Sequence, residues 1–138
     1  MWDNMFKSMD LLQRGLSASW LRNAVIRNNI ANVETPGFKA SDVEFETLMA
    51  QTLTGSSGFK GIKIHEKHID IGTGYGDLMS ISPIVFERSD TSMRMDGNNV
   101  DIESENVKMA QNSLYYNTLL EKLNSEIRRL RMAITEGK

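Results

Sequence analysis

A regular spacing of apolar residues at both ends of the chain constrains the fold more than any other feature. A stripe with a residue every third or fourth position runs from Trp2 to Val33, and a second runs from Ile102 to Ile134. In each stripe eight of the ten positions are apolar, which is typical of a helix that packs one face against a partner. Helices of about thirty residues would be about 45 Å long. The sequence therefore predicts two long terminal helices that pair as an antiparallel coiled coil.

Each predicted helix carries two sets of apolar residues. The first set is the seam, the expected helix-packing residues Met9, Leu12, Leu16, Ile26 and Ile30 on the first helix and Met109, Tyr116, Leu120, Leu123, Ile127 and Leu130 on the last. The second set comprises Phe6, Leu11, Trp20, Leu21 and Val25, and then Val107, Leu114, Tyr115, Leu119 and Met132. Because two helices bury only one face each against the other, we expect the second set to contact other molecules. The alternative is that both sets belong to an internal core.

The middle of the chain differs from both ends in composition. Both prolines and eight of the ten glycines lie between Pro36 and Gly97. We therefore divide the chain into an N-terminal helix (1–35), a middle segment (36–97) and a C-terminal helical segment (98–138). Proline disfavours helical geometry in the residue before it, so the first helix should end before Pro36, and the pair Pro36-Gly37 fits the centre of a type II turn.

Short strands are expected within the middle segment. Apolar and polar residues alternate at 62–64, 69–71, 79–81 and 84–86, which is the pattern of half-buried strands. Residues 51–61 are rich in glycine, serine and threonine, and this composition predicts a flexible loop. The predicted fold is thus mainly α, with two long terminal helices and a small, partly β, loop-rich central insertion.

The start of the last helix has two possible interpretations. Asp101 can cap the helix, and Glu103 and Glu105 place negative charge in its first turn, where the helix dipole favours it. The alternative is a calcium loop formed by Asp96, Asn98, Asp101 and Glu103, but the glycine and the glutamate that such a loop needs at its sixth and twelfth positions are absent. The sequence favours a turn followed by a capped helix.

Groups that could carry catalysis are few. A metal site would need more ligands than His65, His68 and Asp70, and the two histidines would point to opposite faces of a strand. The glycines at 72, 74 and 76 have the wrong spacing for a phosphate loop. The chain has no cysteine, and its net charge of −2 argues against a dedicated nucleic-acid binder. No apolar stretch is long enough to insert into a membrane, and the first ten residues do not resemble a cleavable signal peptide. We expect neither an enzyme nor a bound cofactor or metal.

Two motifs carry a family resemblance. Residues 29–38 resemble the ANxxTPGF signature of the flagellar axial proteins, the rod and hook family. The residues that carry this resemblance are Asn29, Ala31, Asn32, Thr35, Pro36, Gly37 and Phe38. Residues 96–105 resemble a DGNxVDxxxE element of the proximal rod members of that family, through Asp96, Gly97, Asn98, Val100, Asp101 and Glu105.

The resemblance implies a function that the spacing of residues does not give. It implies a structural subunit of the flagellar basal body that polymerises through its terminal helices, in the proximal part of the periplasmic rod, and transmits torque for motility. The implied partners are copies of the chain, other rod proteins, the inner-membrane ring, a small adaptor protein at the rod base, and the flagellar type III export apparatus. The first motif would shape the turn that leaves the first helix and its contacts with neighbours. A cytoplasmic coiled-coil adaptor or an export-associated protein is the alternative.

Overall fold

Two long helices dominate the computed structural model, which describes residues 2–54, 81–89 and 94–135. The elements follow in the order α1 (Trp2–Ala31), β1 (Ser41–Glu44), α2 (Glu46–Thr54), β2 (Ile84–Glu87) and α3 (Ile102–Thr135). With 30 residues in α1 and 34 in α3, the prediction of a mainly α chain with long terminal helices is confirmed. Among the described residues, no helix has both the length and the apolar character needed to cross a membrane.

α1 and α3 pack against each other in antiparallel orientation. Ser19 contacts Asn112, and Asn29, further along α1, contacts Glu105, which lies earlier on α3. Gly15 brings the two helices close, because a Cβ atom at this position would lie 3.1 Å from Cδ1 of Leu119. The small residue at this crossing therefore sets the distance between the helices.

The face of α3 that meets α1 differs from the predicted seam. The buried residues of α3 are Glu105, Asn112 and Glu126. Three residues of the predicted seam remain exposed, by 36% for Tyr116, 39% for Leu120 and 46% for Ile127. Each of them lies one position after a residue of the face that packs inward. Ile26 is buried, and the partly buried members of the predicted seam are Met9, Leu12, Leu16, Ile30, Met109, Leu123 and Leu130. The sequence interpretation assumed that the most apolar stripe faces inward, whereas polar and small residues occupy much of the contact between these helices.

The ends of the helices follow the predicted chemistry. Gly37 has a φ of 71°, and the backbone N–H of Phe38 donates to the carbonyl of Thr35 at 3.3 Å. These two features confirm a turn with Pro36-Gly37 at its centre, because a type II turn needs positive φ at its third residue. At the other junction, Oδ1 of Asp101 accepts a hydrogen bond from the N–H of Glu103 at 3.0 Å, as expected of a helix cap.

The middle segment holds one short sheet and one short helix in its described part. β1 and β2 pair antiparallel, with Ser41 opposite Glu87 and Glu44 opposite Ile84, which confirms the predicted strand at 84–86. β1 and α2 were not predicted. The predicted flexible loop is wrong for residues 51–54, because they continue the helix that starts at Glu46. The predicted loop at 55–61, the strands at 62–64 and 69–71, the histidines and glycines of 65–76, and residues 79–80 of the third strand lie outside the described residues.

Candidate functional site

The two sequence motifs meet at one place, the junction where α1 ends and α3 begins. The N–H of Gly37 donates to the carbonyl of Asp96 at 2.9 Å. Gly97 has a φ of 81°, and a Cβ atom there would lie 3.7 Å from the Cα of Gly37. Two glycines thus face each other where the two loops cross, and the left-handed backbone of both residues explains why each motif contains glycine at this place.

Asn98 holds the turn that follows α1. Its side chain is fully buried, and Nδ2 donates to the carbonyls of Asn32, Val33 and Thr35 at 3.0, 3.1 and 2.9 Å. Its Oδ1 accepts from the N–H of Val100 at 2.7 Å. Carbonyls at the end of a helix have no partner within the helix. A side chain from the second motif therefore satisfies the backbone of the first.

Asn29 connects the end of α1 to β1 and to α3. Its side-chain amide pairs with the backbone of Ser41, accepting from the N–H at 3.0 Å and donating to the carbonyl at 2.8 Å. The same Nδ2 donates to Oε2 of Glu105 at 3.0 Å. Because Asn29 is 1% exposed, losing either partner would leave a buried polar group unsatisfied.

Glu105 is a buried carboxylate with two cationic partners. Its Oε1 accepts from Nη2 of Arg88 and from Nζ of Lys108, both at 3.0 Å. Lys108 also pairs with Oδ2 of Asp42 at 3.2 Å. A buried charge is tolerated only with such partners. The network ties β1, β2 and both long helices together at the junction.

The sequence pattern singles out neither the cations of this network, Arg88 and Lys108, nor three further polar residues at the junction and along the helix pair. Asn99 accepts from the N–H of Ala40 at 2.6 Å and donates to the carbonyl of Arg88 at 2.5 Å. Along the helix pair, Asn112 donates from Nδ2 to the carbonyl of Ser19 at 2.9 Å, and the Ser19 hydroxyl donates to Oδ1 of Asn112 at 2.9 Å. Polar residues at seam-like positions, such as Ser19, were the available indication of these pairs.

The motif residues divide into an inward and an outward group. The inward group comprises Asn29, Asn98, Val100 and Glu105, which are all buried. The outward group comprises Ala31, Thr35, Pro36, Gly37, Asp96 and Asp101, and Asn32, Phe38 and Gly97 are partly exposed. The inward residues hold the subunit together, and the outward residues are the ones that a neighbouring molecule can reach.

An ion pair beside the junction fixes α2 against α1. The guanidinium of Arg22 donates to both carboxylate oxygens of Glu46, at 2.9 and 2.5 Å. Burial by itself would raise the pKa of Glu46, but the hydrogen bond and the charge of Arg22 outweigh it, and this pKa lies below its ordinary value. The hydrogen bond to Glu46 raises the pKa of Arg22, and burial raises the pKa of the neighbouring Tyr115. Both charges are therefore present at neutral pH.

A groove of about 470 Å³ runs along the opposite side of the helix pair. Its lining includes Asn23 and Arg27 of α1, Tyr116 and Asn117 of α3, and Trp20, which is 70% exposed. Val107 and Leu114 are 58% and 70% exposed on α3. Single exposed apolar residues are ordinary, but large ones on both helices, within this groove and outside it, indicate surfaces for protein contact.

Comparison with known proteins finds similarity to flagellar basal body rod proteins in each case. The sequence model of a family described as flagella basal body rod protein matches residues 9–39. The chain is 38% identical to the flagellar basal body rod protein FlgB of Bacillus subtilis (strain 168) over 127 residues, or 92% of each chain. It is 35% identical to FlgB of Aeromonas hydrophila over 129 residues, which covers 93% of this chain and 92% of that protein. FlgB of Proteus mirabilis (strain HI4320) is 30% identical over 141 residues, 99% of this chain and 100% of that protein.

Proposed function

Because the chain belongs to the FlgB family of flagellar basal body rod proteins, and is therefore a structural subunit of the flagellar rod, we propose that it polymerises through its terminal helices into the proximal rod. The observation that carries this proposal is the apolar surface left on the paired helices. Trp20 on α1 and Leu114 on α3 are each 70% exposed. A stable assembly would cover this surface, and the energy of its burial would hold the subunits together.

The junction supplies the rigidity that such an assembly needs. A contact between two different surfaces of identical subunits, repeated by a rotation and a rise, builds a tube. Each subunit must then present its helices at a fixed angle and register, and the network around Asn29, Asn98 and Glu105 holds both helices where they meet the middle segment. In this mechanism torque passes from subunit to subunit through many packed side chains.

The proposal includes the surroundings of the subunit. Its partners are copies of itself, other rod proteins, the inner-membrane ring, the small adaptor at the rod base, and the type III export apparatus. The subunit works in the periplasm and reaches it through that export apparatus. We propose no catalytic activity and no cofactor, because the family is one of structural proteins and the sequence offers no constellation of catalytic side chains.

Purified basal bodies provide the test of this proposal. We expect an antibody against the chain to label the rod next to the inner-membrane ring in electron micrographs, and mass spectrometry to find the chain in washed basal bodies. A cytoplasmic adaptor or an export-associated protein would instead stay in the soluble or export-apparatus fraction. Labelling confined to those fractions would contradict the proposal.

A further inference from the structure

Two surfaces on different sides of the helix pair match each other in spacing. The first, the groove row, consists of Arg27, Asn23, Trp20 and Leu16 on α1 and borders the groove described above. The second, the ridge row, consists of Glu103, Val107, Ala110 and Leu114 on α3. Both rows advance by four, three and four residues, so each forms one continuous line along its helix.

The ridge row points away from the α1 of its own chain. Val107 and Leu114 each follow a buried, inward residue, Glu105 and Asn112, by two positions. Two residues correspond to about 200° around an α-helix. Their exposures of 58% and 70% agree with this outward direction. Within one chain the ridge row therefore cannot reach the groove row.

The two rows also match in size and charge when they are set antiparallel. Leu114 then meets a notch of about 280 Å³ lined by Leu16, Trp20 and Tyr116, among others. The small side chain of Ala110 comes opposite the large side chain of Trp20. At the end of the rows, the carboxylate of Glu103 comes opposite the guanidinium of Arg27.

The charged pair at the end of the rows selects the orientation. Within the part of the chain that the structure describes, neither Arg27 nor Glu103 forms an ion pair through its side chain. A parallel arrangement with Leu114 in the notch would carry Glu103 away from Arg27. The antiparallel arrangement brings the opposite charges together while keeping each apolar residue opposite its counterpart.

We propose that the ridge row of one copy of this chain packs antiparallel along the groove row of a second copy. This inference rests on the proposed function and specifies the contact by which the subunits polymerise. The partner's α3 then runs in the same direction as the chain's own α3, so successive subunits point the same way. Each added copy offers a new groove row and a new ridge row, which makes the contact open-ended.

The absence of cysteine from the sequence allows a direct test by disulfide trapping. Two full-length variants, Asn23→Cys and Val107→Cys, are produced together in cells, and basal bodies are purified and oxidised. The proposal places these positions opposite each other between copies, and we expect a disulfide-linked dimer of the two variants. The matched control pairs Asn23→Cys with Leu114→Cys, displaced by seven residues or about 10 Å along the helix, and we expect at least tenfold less dimer.

The outcomes separate this inference from the proposed function. Suppose that the chain is present in basal bodies, but the two pairs form equal amounts of disulfide-linked dimer, or neither pair forms any. The proposed register is then wrong, and the assignment of the chain to the rod stands. If the chain is absent from basal bodies, the proposed function itself fails.

A charge exchange gives a second, independent readout. We expect Arg27→Glu and Glu103→Arg each to reduce the diameter of swimming rings in soft agar, and the double variant to recover most of the loss. Failure of the double variant to swim better than either single variant would overturn the proposed pair, provided that immunoblots show equal amounts of protein.

Discussion

The side-chain amide of Asn29 donates to the carboxylate of Glu105 at 3.0 Å across 76 positions of the chain, which joins the end of α1 to the first turn of α3. Both residues are 1% exposed. Each belongs to one of the two family motifs, so the motifs act first on each other within the subunit. Substitution of their inward residues should therefore destabilise the subunit before it affects any contact with a neighbour.

Asn98 offers the sharpest test of that statement. Asn98→Ala removes one hydrogen bond from each of the carbonyls of Asn32, Val33 and Thr35 and takes the acceptor from the buried N–H of Val100. We expect the free energy of unfolding to fall by about 1–3 kcal/mol. Urea unfolding followed by circular dichroism measures this change. Asn124→Ala, on the exposed surface of α3, is the matched control and should change it by less than about 0.5 kcal/mol. Equal effects of the two substitutions would mean that Asn98 does not hold the turn.

Gly37 tests the conformation of the turn separately from its packing. A Cβ atom at Gly37 would meet no atom within 4 Å, and the φ of the residue is 71°. Gly37→Ala should therefore cost about 1–2 kcal/mol through backbone strain alone. Gly37→Asn should cost clearly less, because asparagine tolerates left-handed backbone. Thermal unfolding measures which of the two variants is more stable. An alanine variant more stable than the asparagine variant would contradict the assigned turn.

The sequence predicts those features of the fold that depend on residues close to each other along the chain. The lengths of α1 and α3, the Pro36-Gly37 turn and the Asp101 cap follow from local periodicity and local hydrogen bonding, and all four agree with the structure. The pairing face of α3 does not follow from the same pattern. Its inward stripe includes Asn112, and a polar side chain is recognisable as inward only when its partner, 93 positions away, is known.

The junction and the short elements were missed for a related reason. β1 has the sequence SDVE, which lacks the apolar alternation of an isolated strand, and it exists because it pairs with β2 and with the side chain of Asn29. The two motifs were recognised by resemblance, but their meeting in space required the fold. The residues of the predicted seam that remain exposed, such as Leu120, are apolar, which indicates that they contact a neighbouring molecule.

The crossing at Gly15 predicts a steric coupling between the helices. A Cβ atom at Gly15 would lie 3.1 Å from Cδ1 of Leu119, so we expect Gly15→Val to destabilise the subunit by about 1–3 kcal/mol. Leu119→Ala in the same chain should relieve the overlap and recover part of this loss. A double-mutant cycle by urea unfolding measures the coupling. Strictly additive effects would show that the two side chains do not compete for the same space.

The ion pair between Arg22 and Glu46 predicts a dependence of stability on pH. Because the pKa of Glu46 is lowered in the folded chain, its contribution is complete above the pKa of an unfolded glutamate, about 4.3. It is lost as the pH falls through the lower folded value. The contribution should stay below about 1 kcal/mol, since the Glu46 side chain is 48% exposed.

Unfolding measured between about pH 5 and pH 3 checks this sign. Glu46→Gln should be less stable than the parent chain at pH 6 and should lose less stability on acidification. Glu34→Gln, on an exposed residue, is the control and should follow the parent curve. A Glu46→Gln variant that loses as much stability as the parent chain would contradict the role of this ion pair.

Leu120 separates assembly from folding. The side chain is 39% exposed in the single chain, so Leu120→Glu should leave the circular dichroism spectrum and the unfolding midpoint close to those of the parent. In cells the same variant should fail to assemble and should abolish swimming, because assembly would bury an unpaired charge. Leu120→Met is the conservative control and should swim. Leu123→Glu, at a partly buried position, should reduce both stability and swimming.

The central claim, that this chain builds part of the rod, is tested most directly by electron microscopy of basal bodies from cells that lack its gene. The account predicts inner-membrane rings without rods in non-motile cells, and rods and swimming restored by the intact gene but not by the Leu120→Glu variant. Complete rods and normal swimming in the absence of the gene would contradict it.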